Sequence, residues 1–178
     1  VICHLYNEYQ ENLFEHLDGM FAVALWSVPL KRLILARDIP GEKPLYYSKL
    51  PNSGIVFSSE IKSLKQFPGL NLSLNRQALW DFPTFLWIPE PETIYQKVSA
   101  LPCGHILISD DSGIRVKPYA NKFNTKEITN FSDEEVITET RNIVENAVLS
   151  RLLSDVPVGC FLSSGLDSSI VAALGSKS

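Results

Sequence analysis

Two short apolar runs dominate the first part of the chain: Met20-Phe21-Ala22-Val23-Ala24-Leu25-Trp26 and Arg32-Leu33-Ile34-Leu35-Ala36-Arg37. Each is too short for a secure helix, and Ser27-Val28-Pro29-Leu30-Lys31 breaks between them. They therefore predict a hairpin with both strands largely buried. Gly41 and Pro44 punctuate a loop before Leu45-Tyr46-Tyr47, and Pro51-Asn52-Ser53-Gly54 turns into a strand over Ile55-Val56-Phe57. Ser59 is placed to cap a helix from Glu60 to Phe67, which Pro68-Gly69 ends. Asn75 caps a second helix from Arg76 to about Phe82, where Pro83 is expected to end or kink it. Pro89, Pro91 and Pro102 mark an irregular crossing. His105 to Ser109 and Ile114 to Tyr119 flank the turn Asp110-Asp111-Ser112-Gly113 as a second hairpin. The first part thus reads as a β-rich layer with helices packed on it.

The pattern changes after Tyr119. Residues 120–130 are polar and read as a linker. Ser132-Asp133-Glu134-Glu135 predicts a capping box, in which the serine hydroxyl takes a free backbone N–H and Glu135 reaches back. Val136, Ile143, Val144, Ala147, Val148 and Leu152 recur at helical spacing, predicting a helix to about Leu153. Val156 to Leu162 reads as a short apolar strand entering the turn Ser163-Ser164-Gly165, with a new helix near Asp167.

Composition narrows the classes. The 178 residues are 45% hydrophobic and 20% charged, which excludes a disordered acidic or basic tail protein. A net charge of −4 lacks the basic excess of a nucleic-acid binder. The apolar stretch 20–26 is much too short to cross a bilayer, and Val1-Ile2-Cys3-His4 has no basic, apolar signal-peptide start. A cytoplasmic protein with neither nucleic acid nor membrane as partner is expected. Cys3, Cys103 and Cys160 lie far apart without a CxxC pair, so reduced, buried thiols are expected. His4, His16 and His105 lack metal-ligand spacing and are read as structural. Trp26, Trp80 and Trp87 are read as core or interface aromatics, and Glu60 and Lys62 either as neighbours of a domain junction or as a solvated helix face. The chain opens in what looks like mid-element and stops soon after a helix begins, so it is read as a piece of something longer.

The segment Val156-Pro157-Val158-Gly159-Cys160-Phe161-Leu162-Ser163-Ser164-Gly165-Leu166-Asp167-Ser168-Ser169 carries the strongest chemical signal. A strand feeding a turn of small residues that opens a helix lets backbone N–H groups crowd around one spot, and the helix terminus adds partial positive charge. Ser163, Ser164, Ser168 and Ser169 supply hydroxyl donors, and Asp167 is the one carboxylate, suited to Mg²⁺ beside phosphates. The alternative is a capped helix whose Asp167 complements the dipole. The common phosphate loop GxxxxGK[ST] is absent.

Leu162 to Ser169, LSSGLDSS, resembles the pyrophosphate-binding loop of the ATP pyrophosphatases, and with Val156-Pro157-Val158-Gly159 before it is similar to the glutamine-dependent asparagine synthetase family. Leu17-Asp18-Gly19-Met20-Phe21-Ala22, Ala36-Arg37-Asp38, Gly41, Lys43-Pro44-Leu45-Tyr46-Tyr47 and Ser58-Ser59-Glu60-Ile61-Lys62-Ser63-Leu64 resemble that family's class II glutaminase domain. Ile88-Pro89-Glu90-Pro91-Glu92-Thr93-Ile94-Tyr95 and Gly104-His105 continue the likeness.

The resemblance implies an α+β fold: the second half of an N-terminal-nucleophile-type glutaminase sandwich over residues 1–122, a linker over 123–131, and over 132–178 the start of a parallel-sheet α/β ATP-pyrophosphatase domain. It implies a ligase that takes ammonia from glutamine and amidates a carboxylate through an acyl adenylate, using ATP and Mg²⁺. ATP and pyrophosphate would be bound by Leu162, Ser163, Ser164, Gly165, Leu166, Asp167, Ser168 and Ser169, with the Leu162 backbone meeting the adenine and Asp167 holding the metal. Glutamine and aspartate, or another carboxylate substrate, are the implied partners, and a homodimer is compatible. The family's glutaminase residues lie upstream of the segment matching Val1, so none is carried over and Cys3 is not the nucleophile. The chain departs from the pattern at Ser164, Pro40, Glu42, Pro83 and Cys103. Two rivals remain: a truncated, non-catalytic binding or regulatory homologue, and a divergent amidotransferase acting on another carboxylate such as a sugar acid.

Overall fold

The computed structural model describes residues 1–51, 54–120 and 131–176. The chain divides into two compact units, Val1–Asn124 and Thr125–Ser178. The domain limit expected at residue 122, the linker residues up to 130, and Asn52 and Ser53 of the expected turn lie outside the described residues.

The first unit is α+β, and its described sheets are antiparallel. It opens with α1 (Ile2–Tyr9), followed by a 3₁₀ segment (Gln10–His16). The expected hairpins form as β1 (Ala22–Ser27) with β2 (Arg32–Arg37), and β6 (His105–Asp110) with β7 (Gly113–Pro118). They join through β2 and β6 into one sheet of order β1-β2-β6-β7. A second sheet has the order β4-β3-β5, from β3 (Tyr46–Lys49), β4 (Ile55–Ser58) and β5 (Ser99–Ala100).

Strand alternation sorts the core into two layers. From one face of the larger sheet, Leu25, Ile34, Ala36, Ile106 and Ile108 pack with Tyr6, Leu13, Phe14 and Tyr119. From the other face, Leu35 and Leu107 meet Leu45 and Leu101, flanked by Tyr47 and Ile55 of the smaller sheet. β2 and β6 are covered on both faces, so their apolar residues run on instead of alternating with polar ones. On the far side of the smaller sheet, Tyr46 and Ala100 line a cavity together with Ile61 of α2 (Ile61–Leu64) and Phe82 of α3 (Arg76–Phe85).

Four local expectations are corrected. The helix over 60–67 shrinks to α2, without a side-chain cap from Ser59; instead Ser58 Oγ accepts the Glu60 N–H at 3.2 Å. Such a local turn competes with helix growth. α3 runs on through Pro83 to Phe85, because Pro83 lies in the last turn, and Leu86 closes it in the left-handed region (φ 60°) with its N–H on Phe82 O. Its cap is as expected: Asn75 Oδ1 accepts from Gln77 N–H at 3.1 Å and Ala78 N–H at 3.4 Å. Trp26, Trp80 and Trp87 are more than half exposed, so they are not core residues. Cys3 and Cys160 are exposed and Cys103 is half-buried, so the thiols are not sequestered as expected.

The second unit contains α4 (Asp133–Ser150) and α5 (Leu166–Gly175). The capping box forms: Glu135 Oε2 accepts the Ser132 N–H at 2.8 Å, and Ser132 Oγ accepts the Glu135 N–H at 3.3 Å. The strand expected over 156–162, and with it a parallel sheet, is not formed among the described residues. A strand exists by its ladder, and the described residues of this unit offer no second strand to supply one. Neither helix has a fully buried residue.

The two sheets of the first unit are tied at the end of β2. Arg37, 6% exposed, donates to the carbonyls of Lys43, Gly41 and Leu101 and to Glu90 Oε1, at 2.8–3.0 Å. Asp38, fully buried, accepts from the N–H groups of Phe21 (3.1 Å), Glu42 (2.8 Å) and Lys43 (3.0 Å). Its carbonyl also accepts from Gly41 and Gly104. Burial pushes the Asp38 carboxyl up, but the N–H bonds from Lys43, Glu42, Phe21 and Gly41 together outweigh it and hold the carboxyl below its ordinary value. Gly41 (φ +75°) is required here, since a Cβ would run into Cys103 Sγ and the Arg37 guanidinium. The Tyr119 hydroxyl donates to Arg37 O at 3.1 Å, and burial, then the Asp38 charge, pushes that phenol up to about 12.

Asp38→Ala strips three N–H groups of their acceptor, and urea unfolding of the whole chain at pH 7 should show a loss of about 2–4 kcal/mol. Because the native carboxyl titrates below its unfolded value near 3.9, this contribution is complete above that pH and shrinks as acid protonates the native group. The gap between wild type and variant should therefore narrow below about pH 4. A loss under about 1 kcal/mol would remove Asp38 from its structural role.

Candidate functional site

The expected loop is an exposed serine turn at the start of α5. Gly165 is the N-cap residue and no side chain caps the helix. The first N–H groups of a helix have no partner within it, so those of Leu166, Asp167 and Ser168 end in an uncapped turn. Ser169 is the first residue whose N–H returns to the Gly165 carbonyl, at 3.2 Å.

Ser168 organises the turn. Its hydroxyl accepts the Ser163 N–H at 3.2 Å and lies 2.7 Å from Ser163 Oγ. It also reaches the carbonyls of Ser163 (3.2 Å) and Gly165 (3.1 Å). Ser163 Oγ accepts the Gly165 N–H at 3.2 Å, and Ser169 Oγ donates to the Gly165 carbonyl at 2.8 Å. A Cβ on Gly165 would come within 3.3 Å of Ser163 Oγ, which makes glycine the easy residue there. Ser164 is not in the positive-φ region, so serine in place of glycine carries no left-handed strain.

The structure brings Ser163, Gly165, Ser168 and Ser169 into one network and places Asp167 in the first turn of α5. Leu162, Ser164 and Leu166 are exposed beside it. Asp167 is also exposed and complements the helix dipole, so the simple capping reading remains compatible with it. Among the described residues no group of three His, Cys, Asp or Glu side chains could hold a metal ion. What the turn offers is a helix N-terminus with hydroxyl donors and one carboxylate. That donor set fits a phosphate, and it fits Mg²⁺ only where phosphate oxygens and water complete the shell.

Sequence reasoning found the serine turn but missed Glu90, the ion-pair partner of Arg37 at 2.8 Å and 53 residues away. Nothing in the spacing announces that pair. Among the described residues no helix is long and apolar enough to cross a membrane.

The glutamine amidotransferase domain family model matches residues 1–120, and the asparagine synthase model matches residues 139–178. Asparagine synthetase [glutamine-hydrolyzing] 3 of Bacillus subtilis (strain 168) is 34% identical over 175 residues, covering 98% of this chain and 28% of that protein. Amidase chyE of Penicillium rubens is 35% identical over 177 residues, covering 98% of this chain and 26% of that protein. A solved glutamine phosphoribosylpyrophosphate amidotransferase from B. subtilis aligns with a TM-score of 0.44 at 14% identity, over 99% of this chain and 36% of its own. The chain therefore spans about a quarter of the length of these curated relatives.

Removing the Ser168 hydroxyl should loosen the turn by about 1 kcal/mol, the net worth of a neutral hydrogen bond. Ser168→Ala should then speed amide exchange at Ser163 and Gly165 about five-fold by NMR, with α4 unaffected. Unchanged exchange would show that the turn is held by something else.

Proposed function

The chain belongs to the glutamine amidotransferase domain family over residues 1–120, and from that premise we propose that it is part of a glutamine-dependent, ATP-using ligase that turns a carboxylate into an amide. The observation that carries the reading is the order of the two family matches, with the serine turn inside the second. Glutamine is the proposed ammonia source and aspartate the proposed acceptor, in keeping with the names of the asparagine synthetase relatives. The proposed domain limits are 1–122 and 132–178, with a linker between, and the proposed setting is the cytoplasm.

The proposed nucleotide site is Leu162 to Ser169. The N–H groups of Leu166, Asp167 and Ser168 would hold a phosphate at the uncapped end of α5, the Ser163 and Ser164 hydroxyls would donate around it, and the Ser169 hydroxyl would join them by turning from the Gly165 carbonyl. The Ser168 hydroxyl serves the turn itself. Asp167 would give Mg²⁺ one oxygen, with phosphate oxygens and waters as the rest. The chemistry that ATP supplies when bound is activation of the acceptor carboxylate. What this chain does there is hold the charge that gathers on the departing pyrophosphate. Leu162 would meet the adenine through its backbone. The glutaminase residues would be supplied by sequence preceding Val1.

A second reading is an amidotransferase whose acceptor is not aspartate, such as a sugar acid. It is favoured by the Penicillium amidase, which is as similar to this chain as the synthetases are. A non-catalytic regulatory homologue is the third reading.

Two measurements test the main one. The chain from Val1 to Ser178, incubated with glutamine, should release ammonia no faster than buffer, and a rate that disappears in Cys3→Ser would overturn the assignment of the glutaminase residues. In the protein that carries this chain, Asp167→Ala should abolish ATP-dependent amide formation and spare ammonia release from glutamine. Unchanged pyrophosphate release in that variant would remove Asp167 from the metal site.

A further inference from the structure

A cavity of about 530 Å³ opens in the first unit between the β3–β4 hairpin and the loops around Asn71 and Gln96. Its size falls within the range of small-ligand pockets, roughly 300–1,000 Å³. Two features of its wall point the same way. Lys49 and Lys97 both line it, and neither side chain has an ion pair or hydrogen bond among the described residues. No Asp or Glu lies in the wall among the described residues, although the chain carries a net charge of −4.

The amides add to this. Asn71 Oδ1 is taken up by Ser73, accepting from its N–H at 2.9 Å and its hydroxyl at 2.6 Å, which leaves the Asn71 NH₂ as the uncommitted end of the amide. Gln96 donates to Leu74 O at 3.1 Å, which fixes it at the rim. Among the described residues the wall thus offers donors and positive charge with no carboxylate beside them. Lysine pairs with phosphate as a point charge, whereas planar carboxylates favour the arginine fork, and the wall has no arginine among the described residues.

We propose that this cavity binds a small phosphorylated anion, with Lys49 and Lys97 holding the phosphate and the rest of the volume taking an organic group. It is separate from the serine turn of the second unit and does not depend on the reading of that turn.

The test is an NMR titration of the ¹⁵N-labelled whole chain with inorganic phosphate and, in a second arm, glucose 6-phosphate, both at constant ionic strength. The expected result is saturable shifts at Lys49, Asn71, Gln96 and Lys97 that fit one dissociation constant. Tighter binding of the sugar phosphate would identify an organic ester as the ligand class; equal binding would identify free phosphate. K49Q and K97Q together should weaken the fitted affinity at least ten-fold. Both lysines are exposed, so folding should be unaffected, and an unchanged amide spectrum elsewhere checks this. Shifts at Ser163 to Ser169 are fitted separately, so failure at one site is not read as failure at the other. Shifts that grow without saturating, or an affinity that survives the double substitution, would overturn the proposal.

Discussion

The first unit depends on one adjacent pair of opposite charges that do not pair with each other. Arg37 and Asp38 are both buried at the end of β2, where an unsatisfied charge is costly. Each is satisfied separately: the guanidinium by three carbonyls and Glu90, the carboxylate by three backbone N–H groups. These partners come from the loop after β2, from Phe21 just before β1, from Glu90 after α3 and from Leu101 just after β5. One dipeptide therefore fixes where four stretches of chain run. Gly41 follows from it, since the guanidinium and Cys103 occupy the space a side chain would need.

The second unit is organised on a smaller scale. Its order comes from local devices: a capping box at one helix, a serine hydroxyl network at the next. Such devices act within a few residues and need no distant partner. An apolar segment such as 156–162 does need one, and it carries no ladder here. The contrast explains why the turn at Ser163 to Ser169 has a defined hydrogen-bond pattern although it is exposed.

The two candidate sites differ in how charge is gathered. At α5 the positive character comes from backbone N–H groups at an uncapped helix end, and sequence spacing alone puts them together. At the hairpin cavity it comes from Lys49 and Lys97, 48 residues apart, which only the fold makes neighbours of one space.

The chain's own pattern determined the elements whose causes are local. The two long hairpins were legible because apolar runs flanked breaks rich in Pro or in Asp, Ser and Gly, and the caps at Asn75 and Ser132 because the N–H groups they accept from lie two or three residues away. The serine turn was legible for the same reason, and its likeness to a known family came with it. The tertiary structure decided what depends on distant partners. It turned Trp80 and Trp87 outward, withheld a strand from 156–162, and joined Arg37 to Glu90. Composition and periodicity report how apolar a residue is, but burial and pairing depend on which surface arrives opposite it, and that is settled only when the sheets close on each other.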